Sequence, residues 1–316
     1  MKFEEAKKTL FDRAIPDYKV PMDHETMMTY LEFLSDRYPF LSVGTLGESI
    51  FGRRIPVLSI GEGSRGVLYV GAHHGMEWIT TVLLLRFINE FCELKRLHGR
   101  IYRYTLDFIC ATKTLYFIPM LNPDGVEYQI HGVEEKNPIY DRLIAMNGGS
   151  QDFSRWQANG RGVDLNHNYN AGFGAYKAIE TEAGIFGGAP TKYSGTMPES
   201  EPEVGQLCNF LRFHEDIGMV LTLHTQGEEI YYTSGGRMAP RSRSIAAAFS
   251  RMTGYSLGIP EGSAAYGGMT DWVIEELGRP SFTIECGKGE NPLPLSDYFK
   301  IYTRLREMLF MAPTFL

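Results

Sequence analysis

The spacing of apolar positions switches between helical and strand periods along the chain. Residues 23–36, after Pro21, repeat at helical spacing and predict a helix. Residues 41–60 alternate and break at Phe51-Gly52-Arg53-Arg54, which predicts a hairpin. The continuous apolar run at 66–71 predicts a buried strand, and 77–96 a long apolar-periodic helix opened by Glu77. Leu115-Tyr116-Phe117-Ile118-Pro119 reads as a strand running into the turn signal Asn122-Pro123-Asp124-Gly125. From about 130 to 200 the chain is glycine-rich and polar with little periodicity, and a stretch of that kind inside a compact domain is usually functional.

Regular elements then resume. Ser200-Glu201-Pro202-Glu203 has the form of a capping box and predicts a helix through about 214. Strands are expected at about 217–223 and 229–233, and helices at about 240–254 and near 270–277. Ser281-Phe282-Thr283-Ile284-Glu285 is an apolar strand ending in a carboxylate, and a last amphipathic helix covers roughly 295–311. Strands alternating with helices predict an α/β sheet with helices on both faces.

Composition narrows the function classes. The 316 residues suit one large α/β domain or two smaller ones, and 43% hydrophobic content supports a sizeable core. The net charge of −7 argues against nucleic-acid binding and against a polybasic membrane contact. No apolar run is long enough to span a bilayer. The N-terminal Met1-Lys2-Phe3-Glu4-Glu5-Ala6-Lys7-Lys8 lacks the apolar core of a signal peptide, so the expected location is the cytoplasm. Cys92, Cys110, Cys208 and Cys286 are scattered without a C-x-x-C spacing and read as buried reduced thiols.

The candidate chemistry lies where strands end. The run Val67-Leu68-Tyr69-Val70 is followed by Gly71-Ala72-His73-His74-Gly75-Met76-Glu77, which delivers His-x-x-Glu at a strand-to-loop junction. An imidazole and a carboxylate three positions apart can grip one zinc ion, which needs a third protein ligand for catalysis. His224, closing the apolar run Thr222-Leu223-His224, offers that ligand. His73 is the rival to His74, but His74 gives the three-residue spacing to Glu77, and His73 is expected to pack or hydrogen-bond nearby. A lone histidine at a strand end is more often a satisfied core residue. The recurrence of such residues at strand ends strengthens the metal reading, because α/β sheets gather ligands at the carboxyl ends of their strands.

These segments together resemble the zinc carboxypeptidases of the A and B type. The resemblance is carried in order by Gly71 to Thr80, Asn122-Pro123-Asp124-Gly125, Gly162-Val163-Asp164-Leu165-Asn166-His167 through Gly174, Leu223-His224-Thr225, Gly267-Gly268-Met269-Thr270-Asp271-Trp272 and Ser281 to Glu285. It implies one catalytic domain over 1–316, residues 1–20 being an N-terminal extension, with a central mixed sheet of about eight strands. A narrower similarity, in Leu223 to Tyr232, Glu285 to Pro294 and Trp156 to Arg161, is to the bacterial branch that cleaves cell-wall peptides, which includes γ-D-glutamyl-L-diamino acid endopeptidases.

The resemblance implies roles for single residues. His74, Glu77 and His224 would hold one Zn²⁺ and Glu285 would be the general base, with Glu228 and Glu229 as lower-ranked rivals. Asp164 would accept the other ring N–H of His74 and fix its tautomer. Asn166, His167, Thr225, Tyr266 and Thr270 fall where the family contacts substrate. Tyr266 is either a mobile cap or a packing residue.

The chain departs from the family at its cations. The arginine that clamps a substrate's terminal carboxylate is replaced by His167, and a neutral imidazole cannot fork onto a carboxylate. Met76 replaces a second arginine. Arg237 is a possible substitute for these lost charges. For the cation at the developing oxyanion, strict alignment to Trp156 gives Gln157, so Arg155 is the expected residue and Arg161 the second choice.

Thr270 matches the position at the floor of the family's side-chain pocket, and a neutral residue there suits a short polar or zwitterionic side chain. The expected activity is zinc-dependent hydrolysis of γ-D-glutamyl–diamino acid bonds in muropeptides. The alternatives are a conventional carboxypeptidase and a non-catalytic peptide-binding module of the same fold.

Overall fold

The computed structural model describes residues 21–316. Its elements run α1 (His24–Arg37), β1 (Ser42–Glu48), β2 (Arg54–Ile60), β3 (Gly66–Val70), α2 (Ile79–Arg96), β4 (Arg100–Ile101), β5 (Tyr104–Thr105), α3 (Leu106–Thr112), β6 (Thr114–Ile118), α4 (Pro123–His131) and α5 (Tyr140–Met146). Then follow α6 (Phe173–Glu182), α7 (Pro202–Phe213), β7 (Ile217–His224), β8 (Glu229–Tyr231), α8 (Ser242–Thr253), β9 (Ser256–Gly258), α9 (Met269–Leu277), β10 (Ser281–Glu285) and α10 (Tyr298–Met311).

Eight strands form one mixed sheet in the order β1-β2-β6-β3-β7-β10-β8-β9, and β4 and β5 make a separate small hairpin. The centre, β6-β3-β7-β10, is parallel. Each central strand is buried on both sides, which explains the unbroken apolar runs in the sequence. Val67 and Tyr69 join the core under α1, α2, α8 and α10, whereas Leu68 and Val70 join the core under α7 and α9. Alternation along one strand therefore feeds two apolar layers, with helices on both faces of the sheet. All four cysteines are buried and free. No helix among the described residues is long and apolar enough to cross a membrane.

Four local readings are corrected. Glu77 does not open α2; it closes a one-turn 3₁₀ helix at Gly75–Glu77 that precedes it. Asn122-Pro123-Asp124-Gly125 is the start of α4, with the Asn122 side chain accepting from Gly125 N–H and Pro123 in the first turn, where its missing N–H costs nothing. Glu201 rather than Ser200 flanks the start of α7, without a side-chain cap, and Ser200 Oγ donates to Glu201 instead. The irregular stretch holds two helices, α5 of 7 residues and α6 of 10, too short to show a clear period.

Candidate active site

Because β3, β7 and β10 are parallel, their carboxyl ends open on the same edge of the sheet. His224 and Glu285 are register partners, each the last residue of its strand. The loop after β3 brings His74 and Glu77 to this edge. Gly75 makes that turn possible, because a Cβ there would lie 2.4 Å from the Gly125 carbonyl oxygen and 2.9 Å from that of Trp156.

The three expected metal ligands meet. Nδ1 of His74 is 3.1 Å from Glu77 Oε1, Nδ1 of His224 is 3.2 Å from Glu77 Oε2, and the two Nδ1 atoms are 3.3 Å apart. Both His224 and Glu77 are only 2% exposed. On its far side His74 Nε2–H donates to Asp164 Oδ1 at 3.1 Å. Asp164 also accepts from Lys192 N–H at 3.0 Å, so its carboxylate is fixed. With the proton on Nε2, the Nδ1 lone pair of neutral His74 points at a carboxylate oxygen. Two lone pairs facing each other in a buried site call for a cation between them. Two imidazoles and one carboxylate are the His₂Glu donor set of catalytic zinc. His224 Nε2 is buried with no partner, consistent with a ring held in place by a ligand bond at Nδ1.

Without an ion, the electrostatics show the same demand for positive charge at this point, met by a proton on His74. Burial works against a charged His74, but the Glu77 and Asp164 carboxylates outweigh it and raise its pKa well above the usual value. Burial lowers His224, so that ring favours its neutral, ligating form. His73 is held elsewhere, between the Tyr169 hydroxyl at 3.0 Å and Thr222 Oγ1 at 3.2 Å.

A cavity of about 210 Å³ opens beside these donors and is lined by His74, Glu77, His224 and Glu285. Burial, reinforced by the nearby Glu77, pushes the Glu285 carboxyl up to about 8. A bound cation would draw it back down. Glu228 and Glu229 do not line the cavity. Glu228 pairs with Arg304 and Lys288, and Glu229 accepts from Tyr231 at 2.7 Å.

Asn166, His167, Thr225 and Thr270 line the cavity as expected. Burial lowers the His167 pKa, and its ring stacks on Tyr176 at 3.9 Å, so it offers no cation. Two expected residues lie elsewhere. Tyr266 does not line the cavity: its ring packs on Gly172, and its carbonyl accepts from His167 Nδ1 at 2.9 Å. Arg155 is exposed and pairs with Glu290, and Arg161 is bound to Glu201 at 2.8 Å; neither lines the cavity. Among the described residues no arginine or lysine does, Arg237 included.

The neutral Gln157 stands at the wall instead. Its Oε1 accepts from Thr191 Oγ1 at 2.7 Å, and the residue lines the cavity. Sequence reasoning also passed over Asp271 and Thr283 in the lining, and Asn291 beside Glu77. Asp271 adjoins Thr270 and Thr283 lies two residues before Glu285, so their neighbours could have pointed to them, whereas no local signal marks Asn291.

The fold and the donor set define a zinc metallopeptidase. A family model described as zinc carboxypeptidase matches residues 27–308, and the chain belongs to that family. It is 35% identical over 281 residues, 89% of this chain and 69% of the relative, to γ-D-glutamyl-L-diamino acid endopeptidase 1 of Lysinibacillus sphaericus. In fold it is similar to thrombin-activatable fibrinolysis inhibitor, with a TM-score of 0.68 and 19% identity over 95% of this chain and 75% of that one. It is also similar to the murein-tripeptide amidase MpaA of Escherichia coli O157, with a TM-score of 0.52 and 18% identity over 85% and 91% of the two chains.

Proposed function

We propose that this zinc hydrolase cleaves γ-D-glutamyl–diamino acid amide bonds in muropeptides, with His74, Glu77 and His224 as the metal ligands. The observation that carries the reading is a cavity beside the metal donors with polar walls and, among the described residues, no arginine or lysine to clamp a terminal carboxylate. A conventional carboxypeptidase needs such a clamp. The 35% identity to an endopeptidase acting on that bond class supports the same choice.

The inner wall suits a diamino acid. Thr283 Oγ1 donates to Thr270 Oγ1 at 2.9 Å, and Thr270 lies 3.1 Å from Ser281 Oγ. Asp271 lines the same cavity, its carboxyl pushed up to about 7 by burial. Hydroxyls and one desolvated carboxylate favour an amine-bearing polar side chain over an apolar one.

Zinc, when bound, acts as a Lewis acid and lets water lose a proton near neutral pH. Glu285 takes that proton on a carboxylate oxygen as the water oxygen bonds to the amide carbon. The Gln157 amide N–H donates to the oxygen on which negative charge develops. Glu285 then returns the proton to the leaving nitrogen as the C–N bond breaks, giving one carboxylate and one amine. Asp164 keeps the His74 proton on Nε2 throughout.

Incubation of the zinc-loaded protein with L-Ala-γ-D-Glu-diaminopimelyl-D-Ala, whose scissile amide has no free carboxylate beside it, read by mass spectrometry, tests the reading. Release of diaminopimelyl-D-Ala is expected. An intact glutamyl bond with zinc present would rule it out.

A further inference from the structure

The segment that follows Glu285 returns to the metal ligands. Six residues after the base, the side chain of Asn291 reaches Glu77 and Thr225, neither of which is near it in sequence. One N–H of its amide donates to the Thr225 carbonyl at 2.7 Å, and the amide also approaches Glu77 Oε1 at 3.4 Å. Its Oδ1 accepts from Thr225 Oγ1 at 2.8 Å. The Thr225 backbone N–H completes the circuit by donating to Glu77 Oε2 at 3.2 Å. A primary amide carries two N–H donors and one carbonyl, so Asn291 can serve all three contacts at once.

The circuit acts on the carboxylate directly. Each Glu77 oxygen faces one imidazole Nδ1 on the inner side. On the outer side, Oε2 has the Thr225 N–H and Oε1 has the Asn291 amide. With both oxygens tied in this way, rotation about the last side-chain bond of Glu77 is restricted. Thr225 follows the ligand His224 in sequence, so the same amide also steadies the end of β7. We infer that Asn291 is a positioning residue for the metal site: it holds the Glu77 carboxylate in the plane that presents it to the ion, and it joins the loop carrying the base to the strand carrying His224.

This inference rests on the three-ligand site and is independent of which bond the enzyme cleaves, so it is tested without substrate. Zinc affinity is measured by competition with a chromophoric chelator. Coordination geometry is read from the visible absorption of the cobalt-substituted protein. Loss of an outer hydrogen bond to a metal ligand costs about 10- to 100-fold in affinity. Asn291→Ala is expected to weaken zinc by that factor and to shift the cobalt bands. Asn291→Asp has nearly the same shape and keeps an acceptor for Thr225 Oγ1 but loses both N–H donors, so it should show the same loss. Thr225→Val, which breaks only the hydroxyl tie to the loop, should stay close to the parent.

Circular dichroism of the metal-free proteins checks that each variant folds. If Asn291→Ala misfolds, Asn291→Asp decides the matter. Parental affinity and an unchanged cobalt spectrum in a folded Asn291 variant would overturn the inference. So would a loss in Thr225→Val equal to that in Asn291→Ala, because Asn291 would then be only a tether.

Discussion

His74 Nε2 lies 3.1 Å from Asp164 Oδ1, so the proton of this imidazole sits on the side away from Glu77. The contact sets the tautomer, and the tautomer decides whether Nδ1 has a lone pair to give. Asp164→Ala should lower zinc affinity about 10- to 100-fold with the fold retained. Chelator competition on the purified variant checks this, and an unchanged dissociation constant would remove Asp164 from the site.

Metal binding should also stabilise the fold. His74, Glu77 and His224 come from the β3–α2 connection and the end of β7, so an ion joins separate parts of the sheet edge. Ligand that binds only the native state at about 100 times its dissociation constant adds about 2.7 kcal/mol. Chelation should therefore lower the melting temperature and abolish hydrolysis, and added zinc should restore both. His224→Ala should melt at the same temperature with and without zinc.

The proposed mechanism gives Glu285 and the metal ligands separable roles. Glu285→Gln keeps the shape and removes the proton acceptor, so zinc content should match the parent. The turnover number should fall by about 10²- to 10⁴-fold, the usual contribution of a general base. Steady-state kinetics beside metal analysis tests this, and a variant with parental turnover would contradict the mechanism.

Gln157 and Arg155, two residues apart, should differ sharply. Gln157 lines the cavity, whereas Arg155 lies at the surface against Glu290. Loss of one oxyanion donor costs about 10²- to 10³-fold in turnover. Gln157→Ala should show that loss with little change in KM, while Arg155→Ala should stay near the parent. The reverse order would return the role to the arginine.

How far these assignments were visible in the sequence depends on the range of the contacts involved. The runs at β3, β7 and β10 mark buried parallel strands, and a residue at the end of such a strand has few places to go except the ligand edge. The convergence of His74, His224 and Glu285 on that edge is therefore legible in the sequence. Arg155 was chosen for its charge, but only the packing of Trp156, which is fully buried, decides which neighbour faces inward, and that residue is Gln157. Asn291 lies 214 positions from Glu77, and nothing local announces a contact of that range. The 130–200 stretch hid α5 and α6 because both are short, α5 burying only Leu143 and α6 only Tyr176 and Glu180. Its order comes instead from polar ties such as Asn168 Nδ2 to Ser194 O at 2.7 Å and Glu180 to Ser194 N–H at 2.9 Å.

One buried carboxyl outside the cavity gives a pH prediction. Burial pushes Glu203 up to about 8, although it accepts from Ile50 N–H at 3.2 Å. Its pKa in the unfolded chain is lower, so between about 4.5 and 8 the native state holds more proton than the unfolded state. Native stability from this group is therefore fully present below the unfolded pKa and declines as pH rises through that window, by up to about 1.4 kcal/mol per pH unit. Glu203→Gln should flatten this part of the pH–stability curve. Urea unfolding of the metal-free protein across the window checks it.

The central claim is that one zinc site with Glu285 as its base splits γ-D-glutamyl bonds and does not trim ordinary peptide ends. The most direct measurement compares kcat/KM for L-Ala-γ-D-Glu-diaminopimelyl-D-Ala, whose scissile amide has no free carboxylate beside it, with kcat/KM for a blocked dipeptide bearing a free α-carboxylate, for the parent and for Glu285→Gln at equal zinc content. The account predicts a strong preference of the parent for the muropeptide, and loss of that activity in the variant. Faster release of C-terminal residues from the blocked dipeptide would contradict it.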